Sequence, residues 1–269
     1  MKKTCVVLSV CFFSLFCLLS CGLEAFYYID YIPNGDMQDT TRATIRLPSS
    51  SDDGYSTYFT HFIIFYRIYI SDVPTEALIA SPDTNNVFID TLNSSLNSDY
   101  SSLYSRTNKT TTDVVTSDLV NAFYNKKYFT LTFEGKDINK ILSTDSLGKK
   151  MEIFFSPVNG ERPKLILNET NEYILTRATD TPEGVPSLTF NPKPDKNLYF
   201  LNYPELYDTA NATSAINADV ATNTKTNTEF RHTYVSMYIA AAGKSLEALP
   251  RNIYSQPTFV GVFRLAGSS

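Results

Sequence analysis

The stretch that decides the fold is FTHFIIFYRIYI, which runs from Phe59 to Ile70 and contains neither Gly nor Pro. Every even position from 62 to 70 is apolar or aromatic, whereas the odd positions are mixed. Successive side chains of a β-strand point to opposite faces of its sheet, so this pattern predicts a central strand. On its buried face we expect Ile64, Tyr66 and Ile68, and on the other face His61 and Arg67.

Further strands are predicted before and after this one, where aromatic and β-branched runs end at turn residues. They cover residues 25–32, 43–47, 128–133, 150–155, 164–167, 173–176, 198–201, 234–241 and 258–265. The turn Val158-Asn159-Gly160 carries the Asn-Gly pair that is typical of a hairpin. Short helices are predicted over 91–104 and 116–125, with Ser117 as the N-cap of the second.

About ten strands and two or three short helices indicate a mainly β chain, folded as an antiparallel β-sandwich with short helical insertions. The segment Tyr66-Arg67-Ile68-Tyr69-Ile70-Ser71 resembles the aromatic central strand of fibronectin type III domains, which are immunoglobulin-like sandwiches. The resemblance implies two packed sheets. The Trp that this family carries on the neighbouring strand is missing, because the chain contains no Trp.

Composition excludes several classes of protein. The chain has 269 residues, of which 43% are hydrophobic and 19% are charged, so it can bury a core and is not disordered as a whole. Its formal net charge is -5. Nucleic-acid binding depends on a basic surface, so we expect no nucleic acid as a partner.

The N-terminus reads as a targeting segment. Lys2 and Lys3 precede an apolar stretch over residues 5–19, which is interrupted only by two serines. This stretch is shorter than the ~20 residues of a membrane-spanning helix and is typical of a signal peptide. All four cysteines of the chain lie in its first 21 residues. They are Cys5, Cys11, Cys17 and Cys21.

The sequence Leu18-Leu19-Ser20-Cys21 resembles the lipobox of bacterial lipoproteins, with Leu at position -3 and a small residue at -1. In that family the signal peptide is cut before the Cys, here between Ser20 and Cys21. The thiol receives a diacylglycerol and the new amino group is often acylated with a fatty acid such as palmitate. The resemblance therefore implies lipidation at Cys21 and attachment to a membrane. The competing Cys17 follows bulky Phe16 and fits the motif poorly.

The resemblance also indicates a location. Gly22, rather than Asp, follows the lipobox Cys, and the family's sorting rule then favours the outer membrane of a bacterial cell envelope. The absence of Trp and the abundance of Asn, Thr and Tyr are similar to spirochaete lipoproteins.

Three segments are expected: a signal peptide over 1–20, a lipidated tether over 21–24 and a single β-rich ectodomain over 25–269. Without Lys2 and Lys3, the 23 basic residues become 21 against 28 acidic ones, so the mature charge is -7. Within the ectodomain, 15 of the 21 residues at 209–229 are Ala, Thr or Asn, which predicts an exposed low-complexity loop.

Few residues suggest catalysis. His61 and His232 have no His or Cys nearby at metal-ligand spacing, so structural roles are predicted for both, with no metal and no cofactor. Motifs for a nucleophile elbow or a phosphate loop do not occur. Carboxylates could serve as acids or bases, but most of the candidates adjoin Ser, Gly or Pro, as turn residues do. They are Asp52, Asp53, Asp72, Asp83, Asp90 and Asp99.

An aromatic set around the central strand allows two interpretations. It could line a groove for a carbohydrate or a peptide, or it could pack between two sheets. The set comprises Tyr55, Tyr58, Phe59, Phe62, Phe65, Tyr66 and Tyr69.

The leading hypothesis is a lipid-anchored envelope lipoprotein whose non-enzymatic ectodomain has a structural or interaction role. The alternative is an adhesin-like module that binds a glycan, a solute or a host protein through the aromatic set or loop 209–229. A carboxylate-dependent hydrolase is a third hypothesis, which would need two carboxyl groups about 5 to 10 Å apart in a cleft.

Overall fold

The computed structural model describes residues 28–33, 35–37, 39–71, 119–125, 128–158, 160–178, 200, 232–246 and 252–265. This part of the chain is mainly β, and all its named strands pair antiparallel in two sheets. The prediction of a mainly β, antiparallel chain is confirmed, and the arrangement is consistent with a β-sandwich.

The elements follow one another along the chain. The strands are β1 (Asp36–Met37), β2 (Arg42–Arg46), β3 (Phe59–Ser71), β4 (Phe129–Thr130), β5 (Thr132–Phe133), β6 (Lys150–Phe154), β7 (Lys164–Leu167), β8 (Asn171–Thr176), β9 (His232–Lys244), β10 (Asn252–Tyr254) and β11 (Thr258–Arg264). The described helices are α1 (Leu119–Asn125) and α2 (Ile138–Ile141), and a 3₁₀ turn covers Thr144–Ser146.

Six strands form one sheet in the order β1-β2-β6-β7-β8-β5. In the second sheet the order is β10-β9-β3-β4, and β11 also pairs with β9. The hairpin predicted at residues 158–160 is confirmed, because β6 pairs with β7 through partners such as Met151 and Leu167.

Ser255, between β10 and β11, continues the pairing with β9. The Ala241 N–H donates to Ser255 Oγ at 2.8 Å, and the Ser255 N–H donates to the Ala241 carbonyl at 2.9 Å.

The long strands β3 and β9 pair over almost their whole length, from Phe59 with Gly243 to Ser71 with His232. Ile64, Tyr66 and Ile68 are fully buried in the core between the sheets, as the alternation predicts. The opposite face carries Arg67, whose guanidinium lies 6.0 Å from the ring centroid of Tyr128.

That opposite face is also buried in part, which the mixed pattern of β3 did not indicate. Phe65 is fully buried there and stacks on Phe123 of α1, with ring centroids 4.0 Å apart and planes 7° apart. Ala240 and Ala242 of β9 belong to the same cluster, and their small side chains leave room for the helix. The described helix thus covers part of the outer face of the second sheet.

The two sheets are joined where the chain passes from β4 to β5. Thr130 pairs with Phe65 of β3, whereas Thr132 pairs with Thr176 of β8. Leu131 lies between them, and its N–H donates to the Ile64 carbonyl at 2.7 Å. One extended segment therefore contributes to both sheets.

The described residues around Met37 and Thr40 join the sheets along the opposite side. Met37 of β1 pairs with Ala43 of β2, and its sulfur accepts a hydrogen bond from the Val262 N–H of β11 at 3.4 Å. Further along, Arg264 N–H donates to the Thr40 carbonyl at 2.9 Å. The core between the sheets is therefore enclosed on both sides.

One predicted strand is wrong in its described part. Residues 28–32 form no strand; Ile29 and Ile32 are buried while Tyr28 and Tyr31 are exposed. This spacing of three differs from the spacing of two in a strand. The signal segment 1–20, the tether 21–24, the helix at 91–104, Ser117 and loop 209–229 lie outside the described residues, as does the strand at 198–201 apart from Phe200.

Candidate functional site

The most distinctive local structure is the end of the fold where the described chain begins. We call it the entry end and define it as residues 28–31, 49–58 and 243–246. Three segments that are far apart in sequence meet there. Strand β3 begins and β9 ends at this end, so the loop before β3 and the residues after β9 lie beside the first described residues.

Hydrogen bonds attach the first segment to the loop before β3. The Asp30 N–H donates to the Asp53 carbonyl at 3.0 Å, and the Tyr28 hydroxyl donates to the Asp53 carboxylate at 2.8 Å. Further along, the Thr258 hydroxyl donates to the Ile32 carbonyl at 2.5 Å. Residues 28–32 are therefore hydrogen-bonded both to the loop before β3 and to β11, although they form no strand.

Tyr55 connects the loop before β3 to the core. Its ring is buried in the core and its hydroxyl donates to the Asp30 carbonyl at 2.9 Å. Burial, with smaller contributions from Asp30 and Asp52, raises the pKa of this phenol well above its usual range. The hydroxyl therefore stays protonated and acts as a hydrogen-bond donor.

Two glycines allow the segments to approach one another. Gly54 has φ +83°, and a Cβ there would lie 2.2 Å from the Tyr28 carbonyl oxygen. A Cβ at Gly243 would lie 2.3 Å from the Tyr58 carbonyl oxygen and 2.6 Å from Cδ1 of Ile29. Larger residues at either position would separate the entry segment from the sheets.

The entry end also exposes apolar side chains. Among the described residues, the exposed large hydrophobic side chains are Tyr28 at 53%, Tyr31 at 58%, Val158 at 55% and Leu246 at 67%. Three of these four belong to the entry end. Val158 lies in the turn after β6. This turn is at the far end of the fold, because Phe155 bonds Thr41 and the neighbouring Thr40 bonds Arg264, which pairs with Tyr234 near the start of β9.

The predicted lipidation and cleavage residues, Cys21 and Ser20, precede the described residues. Tyr28 is the seventh residue after Cys21. A fully extended chain of that length spans at most about 25 Å. An acyl chain on Cys21 would therefore keep the entry end close to the membrane.

His61 lies where β3 has a bulge, and it is half-buried. The Thr60 hydroxyl lies 3.1 Å from the Ala242 carbonyl, to which it can donate, and 2.9 Å from Nδ1 of His61. Burial lowers the pKa of His61, and Lys244 lowers it further, against an opposing effect of Asp137.

The candidate carboxylates that the structure describes accept hydrogen bonds in the loop before β3. Asp52 accepts a hydrogen bond from the Ser49 N–H at 2.7 Å, and Asp53 accepts the Tyr28 hydroxyl. Both therefore hold the loop before β3. Asp72, Asp83, Asp90 and Asp99 lie outside the described residues, and the side chain of His232 does as well.

The described side chains of the aromatic set pack in or against the interior of the protein. Tyr55, Phe59, Phe62 and Tyr66 belong to the core between the sheets, and Phe65 belongs to the cluster under α1. Phe59 and Phe62, for example, have ring centroids 4.6 Å apart. Tyr58 is partly buried against the same core, and the side chain of Tyr69 is outside the described set.

Within the described ranges, no three His, Cys, Asp or Glu side chains come together as metal ligands would. Nor does any helix in those ranges combine the length and the hydropathy that a membrane span requires.

Sequence reasoning missed the entry end because its parts are distant in the chain. Gly54 could have been noticed as a glycine in a polar loop and Gly243 as a glycine near the end of a strand, but their contacts depend on the tertiary structure. The spacing of Ile29 and Ile32 was a usable signal, since three-residue spacing argues against a strand.

Comparison with models of protein families, with curated proteins and with solved structures found no match to this chain.

Proposed function

We propose that this protein is a lipid-anchored bacterial cell-envelope lipoprotein whose ectodomain is not an enzyme and has a structural or interaction role. The proposal rests on the sequence Leu18-Leu19-Ser20-Cys21, preceded by an apolar stretch and two lysines. The short distance in sequence from Cys21 to Tyr28, with six residues between them, supports it, because a bound segment this close to the lipid gives a short attachment.

The outer membrane is the proposed location, since Gly22 follows the lipidated Cys. For the ectodomain we propose the immunoglobulin and fibronectin III-like class of sandwich. The two antiparallel sheets and the aromatic strand β3 support this class.

The non-enzymatic role is supported by the contacts of the candidate residues. A catalytic group has to converge with others on a site that a substrate can reach. The Thr60 hydroxyl instead donates to a backbone carbonyl, and Asp52 and Asp53 hold a loop. We expect the soluble fragment 22–269 to hydrolyse generic peptide, ester and glycan substrates no faster than buffer alone does. Turnover that disappears when one carboxylate is replaced, in a variant that still folds, would overturn this expectation.

Metabolic labelling tests the lipid anchor. In cells fed a fatty-acid analogue, the full chain should become labelled and the variant Cys21→Ser should not, because only the lipobox thiol accepts the diacylglycerol. Cys17→Ser is the matched control: it changes another cysteine of the signal segment and should keep the label. A labelled Cys21→Ser protein would contradict the proposal.

A further inference from the structure

We infer that the entry end is a membrane-contact surface, which lies against the lipid headgroups of the bilayer in which the acyl chains of Cys21 are inserted. This inference rests on the proposed function, because it takes the lipid at Cys21 as given. What it adds is an orientation of the ectodomain and the residues that make the contact.

Exposed apolar side chains are concentrated at the entry end. Tyr28, Tyr31 and Leu246 are each more than half exposed there, although Tyr28 and Leu246 come from opposite ends of the chain. Single exposed apolar residues are ordinary on a protein surface. Three that share the end nearest the proposed anchor are not explained by packing within the described residues.

The chemistry of these residues suits a membrane surface. A tyrosine ring has an apolar body and a polar tip, and such rings are enriched at membrane–water interfaces. The Tyr28 hydroxyl is bonded to Asp53, which fixes the ring on the surface. Tyr31 lies three residues further on, while Ile29 and Ile32 hold the segment against the core.

Distance selects this end of the protein. The tether from Cys21 to Tyr28 spans at most about 25 Å, whereas β9 has 13 residues and is about 40 Å long. The far end, with Val158, therefore cannot reach the same bilayer surface while the entry end faces it. The short tether leaves the entry end as the one that makes the contact.

Charge specifies the lipid surface. The charged residues of the entry end are Asp30, Asp52, Asp53 and Lys244, a net charge of -2. Anionic lipids would repel this surface, so the contact should form on zwitterionic headgroups and weaken on anionic ones.

The absence of Trp from the natural chain provides a direct test. The lipidated full-length variant Tyr31→Trp, with its signal peptide removed by the cell, is reconstituted in phosphatidylcholine vesicles. The fluorescence of its only Trp should have a shorter emission wavelength in the vesicles than in the unlipidated fragment 22–269 that carries the same substitution in buffer without detergent. Lipids brominated close to the headgroup should quench it more strongly than lipids brominated near the acyl-chain ends.

Leu246→Trp is a second probe from a distant part of the sequence, and it should show the same shift and quenching. Val158→Trp is the matched control, because Val158 is exposed to a similar extent at the far end; its emission and quenching should not change on reconstitution. Replacing part of the phosphatidylcholine by phosphatidylglycerol should reduce the shift of the first two probes.

The two levels of the proposal can fail separately. A chain without bound lipid, judged by its mass, would overturn the proposed function and this inference with it. Lipidated Tyr31→Trp and Leu246→Trp variants that behave as the Val158→Trp control would overturn the membrane contact alone. The control for folding is thermal melting. Each variant should melt at the same temperature as the natural chain, which would show that the substitution leaves the fold intact.

Discussion

Gly54 is the residue at which a small change should disturb the entry end most. Its φ of +83° is in the left-handed region, and a Cβ would clash with the Tyr28 carbonyl oxygen. We expect Gly54→Ala to lower the free energy of unfolding by at least about 2 kcal/mol, measured by urea denaturation.

Gly148→Ala is the control for that prediction. Gly148 also has a positive φ, +72°, but no atom lies within 4 Å of an added Cβ. Gly148→Ala should therefore lower the free energy of unfolding only by the backbone strain, about 1–2 kcal/mol. Equal losses in the two variants would mean that the contact with Tyr28 contributes nothing.

His61 should make stability depend on pH. Its pKa is lowered in the folded protein, chiefly by burial, so the unfolded chain binds the proton more readily. The contribution of His61 to the free energy of unfolding should be fully present above the unfolded pKa of about 6.5. It should be lost as the pH decreases through that value toward the folded pKa.

The variant His61→Gln should flatten that dependence. Urea midpoints measured between about pH 8 and pH 5 compare the natural chain with the variant, and the difference between the two curves isolates His61 from other groups. A difference that does not change with pH would show that His61 titrates alike in both states.

At the scale of elements, β3 and its pairing with β9 carry the core. Ile68→Ala should lower the free energy of unfolding by about 2–5 kcal/mol, because Ile68 is fully buried between the sheets. Ile166→Ala on the outer face of β7 makes the same chemical change at a partly exposed site and should cost less than about 1 kcal/mol. Losses of similar size would contradict the assignment of the two faces.

Elements with clear periodicity could be predicted from sequence. Strand β3 and the segments at β2, β7 and β11 have runs of alternating or apolar residues, and their bounds agree with the prediction to within a residue or two. Strands β1 and β10 have only two and three residues, which is too short for a period to appear. The passage of one segment from β4 to β5 leaves no local signal, because the switch between sheets depends on which strands lie beside it.

The same limit explains the site. The proposed lipobox is a contiguous pattern, so the sequence alone is enough to propose it. The entry end is assembled from residues near 30, 54 and 244, so only the fold brings its parts together.

At the scale of the whole molecule, the low-complexity segment 209–229 should contribute little to stability, because its Ala, Thr and Asn side chains can bury little apolar surface. Deleting Ala210 to Thr226 should leave the melting temperature of the ectodomain nearly unchanged. Trypsin should also cut at Lys225 well before it cuts the strands. A large drop in melting temperature would show that the segment packs on the ectodomain.

In the proposed function, the whole molecule is an ectodomain attached through a short tether to a lipid on Cys21. Its sequence makes this attachment directly measurable. After Lys3 the next basic residue is Arg42, so trypsin releases one N-terminal peptide that ends at Arg42.

The mass of that peptide, from protein extracted from cell membranes, is the most direct test. We predict a peptide that begins at Cys21, ends at Arg42 and carries the added mass of a diacylglycerol, with or without a further acyl chain. An unmodified Cys21, or a peptide that still contains Ser20 and the residues before it, would contradict the lipid attachment.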